Sequence, residues 1–344
     1  MTAAAHSGGR LRAYLLFIVA LIYFFAARSL AHHAASGYAG DALLPLVEQV
    51  ILVFLLLVVY GAMGFWIDRQ LDPISEQGLP RRPGWVGEAG MGVATGWALV
   101  VVCVIPMMLA GGIVITITAR PANWGWLLAD TAFFAFAAMA EEIAYRGYAF
   151  QCFVRAVGPV GATLGFAAIY AIVQRLLPGS NSASFADALV FSFLLTAAYL
   201  RTRALWVSWG FNFAWKASQA LIFGLPVKGI TSHSPIVQGY PMGSLWLTGG
   251  IFGIDGSWFA FLVLLAAFPL VFRITRDLDY RYNAPVIVPG GLPVDIDAAA
   301  RAQHEAAMGS AAPAPPQFVQ IDPAAPQSPT PVASGPAERA SDRS

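Results

Sequence analysis

Two adjacent carboxylates, Glu141 and Glu142, stand within the apolar segment AMAEEIAYRGYAF. Burying a carboxylate in a membrane is expensive, so such a residue usually marks a functional site. On a helix, Glu142 precedes Arg146 by four residues, which is the favourable order for an ion pair. Glu141 points about 100° away from Glu142 and has no such local partner.

The alternative for Glu141 is solvation in the lipid headgroup region, because Arg146 is expected at a helix end. Ala137 and Ala138 lie one turn before the two acids, and small residues permit close contact between membrane helices. This spacing favours a Glu141 side chain that faces the interior of a helix bundle.

Three more polar residues recur at helical spacing in the segment LWVSWGFNFAWKASQALIFG. Asn212, Lys216 and Gln219 are separated by four and three residues, so a helix would carry them on one face. A lone lysine inside a membrane costs about 2.5–3.5 kcal/mol, and we therefore expect Lys216 to have an acidic partner. The alternative for Asn212 and Gln219 is hydrogen bonding between helices, which contributes about 0.6–2 kcal/mol each.

A further polar pair, Tyr170 and Gln174, lies four residues apart in GATLGFAAIYAIVQ. Tyr170 is either a hydrogen-bond donor in a site or a core tyrosine whose hydroxyl group is satisfied locally. Glu48 and Asp187 fall near the ends of their apolar segments, so we expect both at the membrane interface.

The composition is that of an integral membrane protein. Of the 344 residues, 58% are hydrophobic and 11% are charged, whereas a soluble domain carries about 25% charged residues. The net charge of +1 gives no overall field that would attract nucleic acid. Cys103 and Cys152 are far apart, and we place all five histidines outside the apolar segments. The pattern therefore predicts no zinc-type cluster.

About eight segments are long and apolar enough to cross a membrane, which takes roughly 20 residues. They are 11–30, 43–67, 93–117, 124–145, 157–173, 185–200, 205–223 and 257–272. The first lacks a convincing cleavage site, so we interpret it as a span rather than a signal peptide. The pattern predicts an all-α, polytopic membrane helix bundle embedded in the lipid bilayer.

Arginine residues orient this bundle. They precede the first span and follow the second, fourth, sixth and eighth spans: Arg10, Arg12, Arg69, Arg81, Arg82, Arg146, Arg155, Arg201, Arg203, Arg273, Arg276 and Arg281. The opposite loops carry only Arg120, Arg175 and Lys228. By the positive-inside rule, both termini are expected in the cytoplasm. The expected location of the protein is the plasma membrane.

Three regions are expected along the chain: N-terminal membrane helices with a cytoplasmic loop (1–92), a membrane core (93–276) and a cytoplasmic tail (277–344). The tail is rich in Pro, Ala and Ser and has few aromatic residues. It cannot bury enough apolar surface to offset the entropy of ordering, so it is expected to be disordered.

Several motifs resemble those of one family. EEIAYRG resembles the EExxxR signature of the CAAX prenyl protease and bacteriocin-processing (CPBP) family of intramembrane endopeptidases. GFAAIY falls where the family has FxxxH, and WGFNFAWK falls where it has HxxxN or HxxxD. SLWLTGGIFGIDGSW resembles the Gly-rich loop before the last helix. The resemblance runs from about Trp124 to Phe272 and implies the family's eight-helix core.

The resemblance also implies residue roles, although the sequence departs from the family's motifs. Tyr170 and Asn212 stand where the family has histidine, and Lys216 stands where it has Asn or Asp. Family members are thought to activate water with a glutamate, while histidines and an asparagine bind a metal or stabilise the oxyanion. The implied catalytic set is Glu141 as base, Glu142 and Arg146 as a supporting pair, and Tyr170, Asn212 and Lys216 as hydrogen-bond donors.

Zinc is not expected, because zinc sites favour His and Cys ligands, and no other cofactor is predicted. The function that the resemblance implies is an intramembrane endopeptidase acting on a membrane-associated peptide or protein from a cavity open to the cytoplasm. One alternative is a catalytically silent scaffold, built on a Glu141–Lys216 salt bridge, that binds a membrane partner. A small-molecule or proton carrier is another, although no repeated halves with broken helices are visible.

Overall fold

The computed structural model describes residues 2–118, 123–230, 236–283, 286–287 and 293–294. The α-helices are α1 (Thr2–Tyr38), α2 (Leu44–Ala62), α3 (Pro73–Glu76), α4 (Trp85–Leu109), α5 (Trp124–Arg146), α6 (Tyr148–Arg175), α7 (Ser182–Thr202), α8 (Trp206–Ala217), α9 (Leu245–Thr248), α10 (Trp258–Ala266), α11 (Phe268–Ile274) and α12 (Arg276–Asn283). The strands are β1 (Ile113–Ile117), β2 (Val237–Pro241), β3 (Val286–Ile287) and β4 (Pro293–Val294). Single π-helical turns, Met63–Ile67 and Ser218–Ile222, extend α2 and α8.

The chain divides into two units, Met1–Ala284 and Pro285–Ser344. The first contains all twelve helices and the antiparallel pair β1–β2. In the second, the described residues form the short antiparallel pair β3–β4.

Each of the eight predicted apolar segments contains a helix. Among the described residues, five helical stretches are long and apolar enough to cross a membrane: Gly9–Tyr38, Leu44–Trp66, Trp85–Leu109, Trp124–Arg175 and Ser182–Thr202. The fourth, at 52 residues, contains both α5 and α6. Two shorter helical stretches, Trp206–Ile222 and Trp258–Ile274, fall on the last two predicted segments, and the second of them is an apolar helix. The protein is an all-α, polytopic membrane helix bundle, as predicted.

The predicted third span is wrong at both ends. We expected it to cover 93–117, but the helix begins at Trp85 and ends at Leu109. Gly111 then adopts a positive φ of 70°, which glycine tolerates best. Residues 113–117 are β-branched and form a strand that pairs with β2 instead. Ile, Val and Thr favour strands.

The start of the predicted tail, Asp277, falls inside α12. Asp279 of this helix forms an ion pair with Arg201 at the end of α7, 2.8 Å apart. Apart from β3 and β4, the rest of the predicted tail lies outside the described residues, so its disorder stays a prediction.

Helices α4 and α8 pack backbone to backbone through glycine residues. A Cβ atom added to Gly92 or Gly96 of α4 would clash with a carbonyl oxygen of α8, and one added to Gly210 of α8 would clash with the Ala89 carbonyl oxygen. Small residues four apart allow membrane helices this close approach. The contact sets the position of α8, which carries Asn212 and Lys216.

A sharp turn at Gly147 joins α5 to α6. A Cβ atom at Gly147 would press on the carbonyl oxygen of Ile143, so a larger side chain does not fit there. Within α6, Gly158 interrupts the helical backbone with φ 83° and ψ 167°, directly before Pro159. Proline cannot donate the helical hydrogen bond, and the predicted fifth span, 157–173, begins at this break.

Ion pairs join the arginine-rich ends of three helices. Asp68, which follows α2, lies 2.8 Å from Arg155 of α6 and 3.8 Å from Arg12 of α1. Burial would raise the pKa of Asp68, but the hydrogen bond and charge of Arg155 lower it below its usual value. The N-terminal part of α1, the end of α2 and the beginning of α6 therefore meet on one side of the bundle, here called the arginine-rich side.

Candidate active site

The Glu141 carboxylate lies among four hydrogen-bond donors. Its Oε2 atom is 2.7 Å from the Lys216 ammonium nitrogen and accepts hydrogen bonds from Asn212 Nδ2 at 3.2 Å and the Tyr170 hydroxyl at 3.5 Å. Its Oε1 atom is 3.6 Å from the Lys228 ammonium. The Glu141 side chain is 25% exposed, so it faces the bundle interior and yet remains accessible from a cavity.

Glu142 is completely buried and paired locally. Its Oε1 atom accepts hydrogen bonds from Arg146 at 2.9 Å and from Asn212 Nδ2 at 2.8 Å. Arg146 also reaches the carbonyl oxygen of Ser192 on α7, 3.4 Å away. The ion pair between Glu142 and Arg146, predicted from their spacing of four residues, is therefore observed. Asn212 links both glutamates to α8.

The six residues proposed from sequence thus converge on one place. Glu141, Glu142 and Arg146 come from α5, Tyr170 from α6, and Asn212 and Lys216 from α8. The helical spacing explains the shared face of the last two, whereas the glycine contacts between α4 and α8 bring that face to α5. The catalytic roles assigned to these residues remain predictions.

Lys228 is the site residue that sequence reasoning missed. We counted it among the residues of an outer loop, but its ammonium donates a hydrogen bond to the Tyr170 hydroxyl at 2.9 Å. The segment GLPVKGI turns back into the bundle, with positive φ at Gly224, Lys228 and Gly229. An isolated lysine between these glycines was the only signal, and a loop with that composition usually indicates solvent exposure.

Asp187 and two histidines lie elsewhere than expected. Asp187, predicted at the interface, is buried on α7 and only 3% exposed. Glu48 accepts a hydrogen bond from His32 at 2.9 Å. His32 and His33 lie within α1, which continues past the predicted end of the first span. Gln219 is buried, but its amide atoms have no hydrogen-bond partner among the described residues.

A cavity of about 430 Å³ adjoins Glu141. Its walls come from α1, α2, α5, α6, α8 and the segment 227–230, and most are apolar. Arg28, Lys216 and Lys228 line it together with one carboxylate, that of Glu141. The cavity therefore combines apolar walls with an excess of positive charge.

The cavity reaches the surface on the side opposite the arginine-rich side. Arg28 lies in the C-terminal half of α1, Gln49 near the start of α2 and Pro178 just after α6, and all three line the cavity. Ile230, also in its lining, is 55% exposed. The expected cytoplasmic opening and the positive-inside orientation therefore cannot both be correct.

The residues present do not fit the metal that the family resemblance allows. The acceptor atom Glu141 Oε2 already binds the Lys216 ammonium at 2.7 Å, and a second ammonium stands 3.6 Å from Oε1. A divalent cation would face both positive charges and would find no imidazole or thiolate ligand. Within the described ranges, no group of three or more His, Cys, Asp or Glu residues is placed to hold a metal ion. His233 and His304 lie outside those ranges.

Comparison with known proteins supports the family resemblance. A family model described as type II CAAX prenyl endopeptidase, Rce1-like, matches residues 123–218, which contain helices α5 to α8 and all six proposed residues. No curated protein and no solved structure matches the chain. Over residues 123–218 this membrane protein is therefore similar to the Rce1-like type II CAAX prenyl endopeptidases, which confirms the resemblance that its glutamate motif indicated.

Proposed function

We propose that this protein is an intramembrane endopeptidase that cleaves a peptide bond in a membrane-associated peptide or protein. The observation that carries the proposal is the Glu141 carboxylate, which lines a cavity and is surrounded by four hydrogen-bond donors. A base next to preorganised donors is what hydrolysis of an amide requires.

In the proposed mechanism, Glu141 removes a proton from water while the water oxygen forms a bond to the substrate carbonyl carbon. The negative charge that develops on the carbonyl oxygen is stabilised by the Lys228 ammonium and the Tyr170 hydroxyl, which lie 2.9 Å apart. The C–N bond then breaks, and Glu141 passes its proton to the leaving amine. Lys216, at 2.7 Å, keeps Glu141 ionised before the reaction.

The cavity indicates the class of substrate. Its apolar walls suit an apolar peptide segment, and the excess of positive charge from Arg28, Lys216 and Lys228 suits a segment that carries an acidic group. If the arginine-rich side faces the cytoplasm of a plasma membrane, this substrate approaches from the non-cytoplasmic side. This replaces the expectation of cytoplasmic access.

The experiment is a cleavage assay with the purified full chain in proteoliposomes. A set of apolar peptides with and without acidic residues is incubated with the protein, and new peptide termini are identified by mass spectrometry. We expect cleavage that Glu141→Gln abolishes, that Lys228→Met reduces mainly in kcat, and that the exposed control Asp41→Asn leaves unchanged. Equal cleavage by the wild type and by Glu141→Gln would refute the proposed mechanism.

A second candidate function is a catalytically silent binding protein, and the short ion pair favours it. Oε2 of Glu141 is occupied by Lys216 and Asn212, and no histidine stands at the family's positions. In that case the wild type cleaves none of the peptides but still binds one of them. Ala137→Trp, which fills the cavity wall beside Glu141, should then abolish binding.

A further inference from the structure

Two buried carboxylates on the far side of Lys216 take no part in the proposed mechanism. Asp187 of α7 is 3% exposed, and Asp255, in the turn Ile254–Gly256 before α10, is 5% exposed. Asp255 Oδ1 accepts a hydrogen bond from Trp215 Nε1 at 2.6 Å. Asp255 Oδ2 and Asp187 Oδ1 are buried without a hydrogen-bond partner among the described residues.

Both carboxylates line one small space. It measures about 10 Å³, which is at the lower limit for one water molecule. Gln174 also lines it, and its Oε1 atom is a third buried acceptor without a partner in the described chain. Leaving buried acceptors unpaired is costly, so three such oxygens around one space indicate a species that is positive or donates hydrogen bonds.

The charges around this space do not balance. Lys216 and Lys228 line it and also reach the cavity at Glu141, so the two spaces form one electrostatic cluster. Three carboxylates, Glu141, Asp187 and Asp255, face these two ammonium groups, while Glu142 and Arg146 neutralise each other. Arg28 lines only the larger of the two spaces and is exposed, so solvent screens its charge. The other ionisable groups near the two aspartates, Tyr170 and Cys103, are neutral in their ordinary forms. One negative charge is left over, and an uncompensated charge is not tolerated in a membrane interior.

We propose that the space between Asp187, Asp255 and Gln174 binds one monovalent positive charge. The carrier is either a sodium ion coordinated by the three oxygens or a proton shared by the two carboxylates. Both carriers would meet the same two needs of the site. They would pair the oxygen acceptors that have no hydrogen-bond donor, and they would neutralise the one surplus negative charge. The site does not depend on peptidase activity, because none of its three residues belongs to the proposed catalytic set.

The test is thermal unfolding of the full chain in detergent, in sodium chloride or choline chloride of equal ionic strength, at neutral and at acidic pH. A bound sodium ion should raise the Tm in sodium by about 3 °C or more at saturating concentration. A shared proton should make the Tm independent of sodium but higher at acidic pH, because stability contributed by a bound proton is lost as the pH rises.

The variant Asp187→Asn distinguishes an effect of this site on the Tm from the effects of other titratable groups. It removes the surplus negative charge without removing any described hydrogen bond, so the dependence on sodium or on pH should shrink or disappear. The control Asp41→Asn makes the same chemical change at an exposed residue and should behave like the wild type. If Asp187→Asn fails to fold, binding of radioactive sodium and infrared detection of a protonated carboxyl group test the wild type directly.

A wild type that responds to neither sodium nor pH, and that shows neither stoichiometric sodium nor a protonated carboxyl group, would overturn the proposal. So would an Asp187→Asn variant that folds and keeps the full wild-type response. None of these measurements depends on peptidase activity. A result that overturned the cation site would therefore leave the proposed function untouched.

Discussion

Glu141 has two lysine partners, which lie at different distances from its carboxylate. Lys216 lies 2.7 Å from one carboxylate oxygen and Lys228 lies 3.6 Å from the other. Loss of the carboxylate therefore removes the ion pair of both ammonium groups, whereas loss of Lys216 leaves the carboxylate paired with Lys228. The consequences of the two substitutions should differ in size.

We expect Glu141→Gln to destabilise the protein by about 3 kcal/mol, the lower end of the range for a broken buried pair, because the side chain is 25% exposed. Lys216→Met should have a smaller effect. The double variant should recover part of the loss, but not all of it, because the contact between Lys228 and Glu141 is lost in the double variant as well. A double-mutant cycle on thermal stability measures the coupling, and additive losses would mean that Glu141 and Lys216 do not interact.

The donor set at Glu141 leads to a prediction about metal. Because two ammonium groups occupy the place where a divalent cation would bind, we expect no stoichiometric zinc in the purified protein. A chelator should leave its Tm unchanged. Near-stoichiometric zinc that is lost in Glu141→Ala would contradict the description of the site.

At the scale of helices, the close packing of α4 on α8 decides where Lys216 lies. Gly96 has no room for a side chain, since an added Cβ atom would meet the Phe211 carbonyl oxygen at 2.5 Å. Gly90, six residues earlier on the same helix, has nothing within 4 Å of such an atom. The two glycines form a matched pair for substitution.

Gly96→Val should force the two helices apart and destabilise the bundle by at least about 1–3 kcal/mol, the usual penalty for overpacking. Gly90→Val should change stability little. The measurement is the thermal stability of both variants in detergent. Equal effects at the two positions would show that the glycine contact does not hold α8 in place.

At the scale of the whole molecule, the arginine-rich ends of α1, α2 and α6 meet at Asp68, and the cavity reaches the surface at the other ends of these helices. This arrangement links the orientation of the chain to the side from which a substrate enters. The positive-inside rule then predicts where each loop lies in a cell.

Reporter fusions after Gly40 and at the C-terminus should report opposite sides of the membrane, with the C-terminus in the cytoplasm. Gly40 lies between α1 and α2, on the side of the cavity. The same side for both fusions would refute the topology.

Cysteine labelling tests the side of the cavity directly. Both native cysteines, Cys103 and Cys152, are buried, so an impermeant maleimide should report an introduced cysteine. In intact cells we expect labelling of Ile230→Cys, at the cavity surface, and none of Arg81→Cys, an exposed position on the arginine-rich side. The reverse pattern would place the cavity opening in the cytoplasm.

Features that depend only on neighbouring residues could be predicted from the sequence. The eight apolar segments predicted the bundle because a membrane span depends on local length and hydropathy. The spacing of Glu142 and Arg146 predicted their ion pair, and the spacing of Asn212 and Lys216 predicted their shared face, because helical periodicity is local. The match of EEIAYRG to a family motif indicated where the site lies.

Contacts between distant segments could not be predicted in this way. Lys228 joins the site because the chain after α8 turns back into the bundle, and Asp187 is buried because α7 lies against the turn that carries Asp255. Strand β1 forms because β2, more than a hundred residues later in the chain, supplies its hydrogen-bond partners. Packing joins residues that are far apart in the chain, and no local periodicity records such contacts.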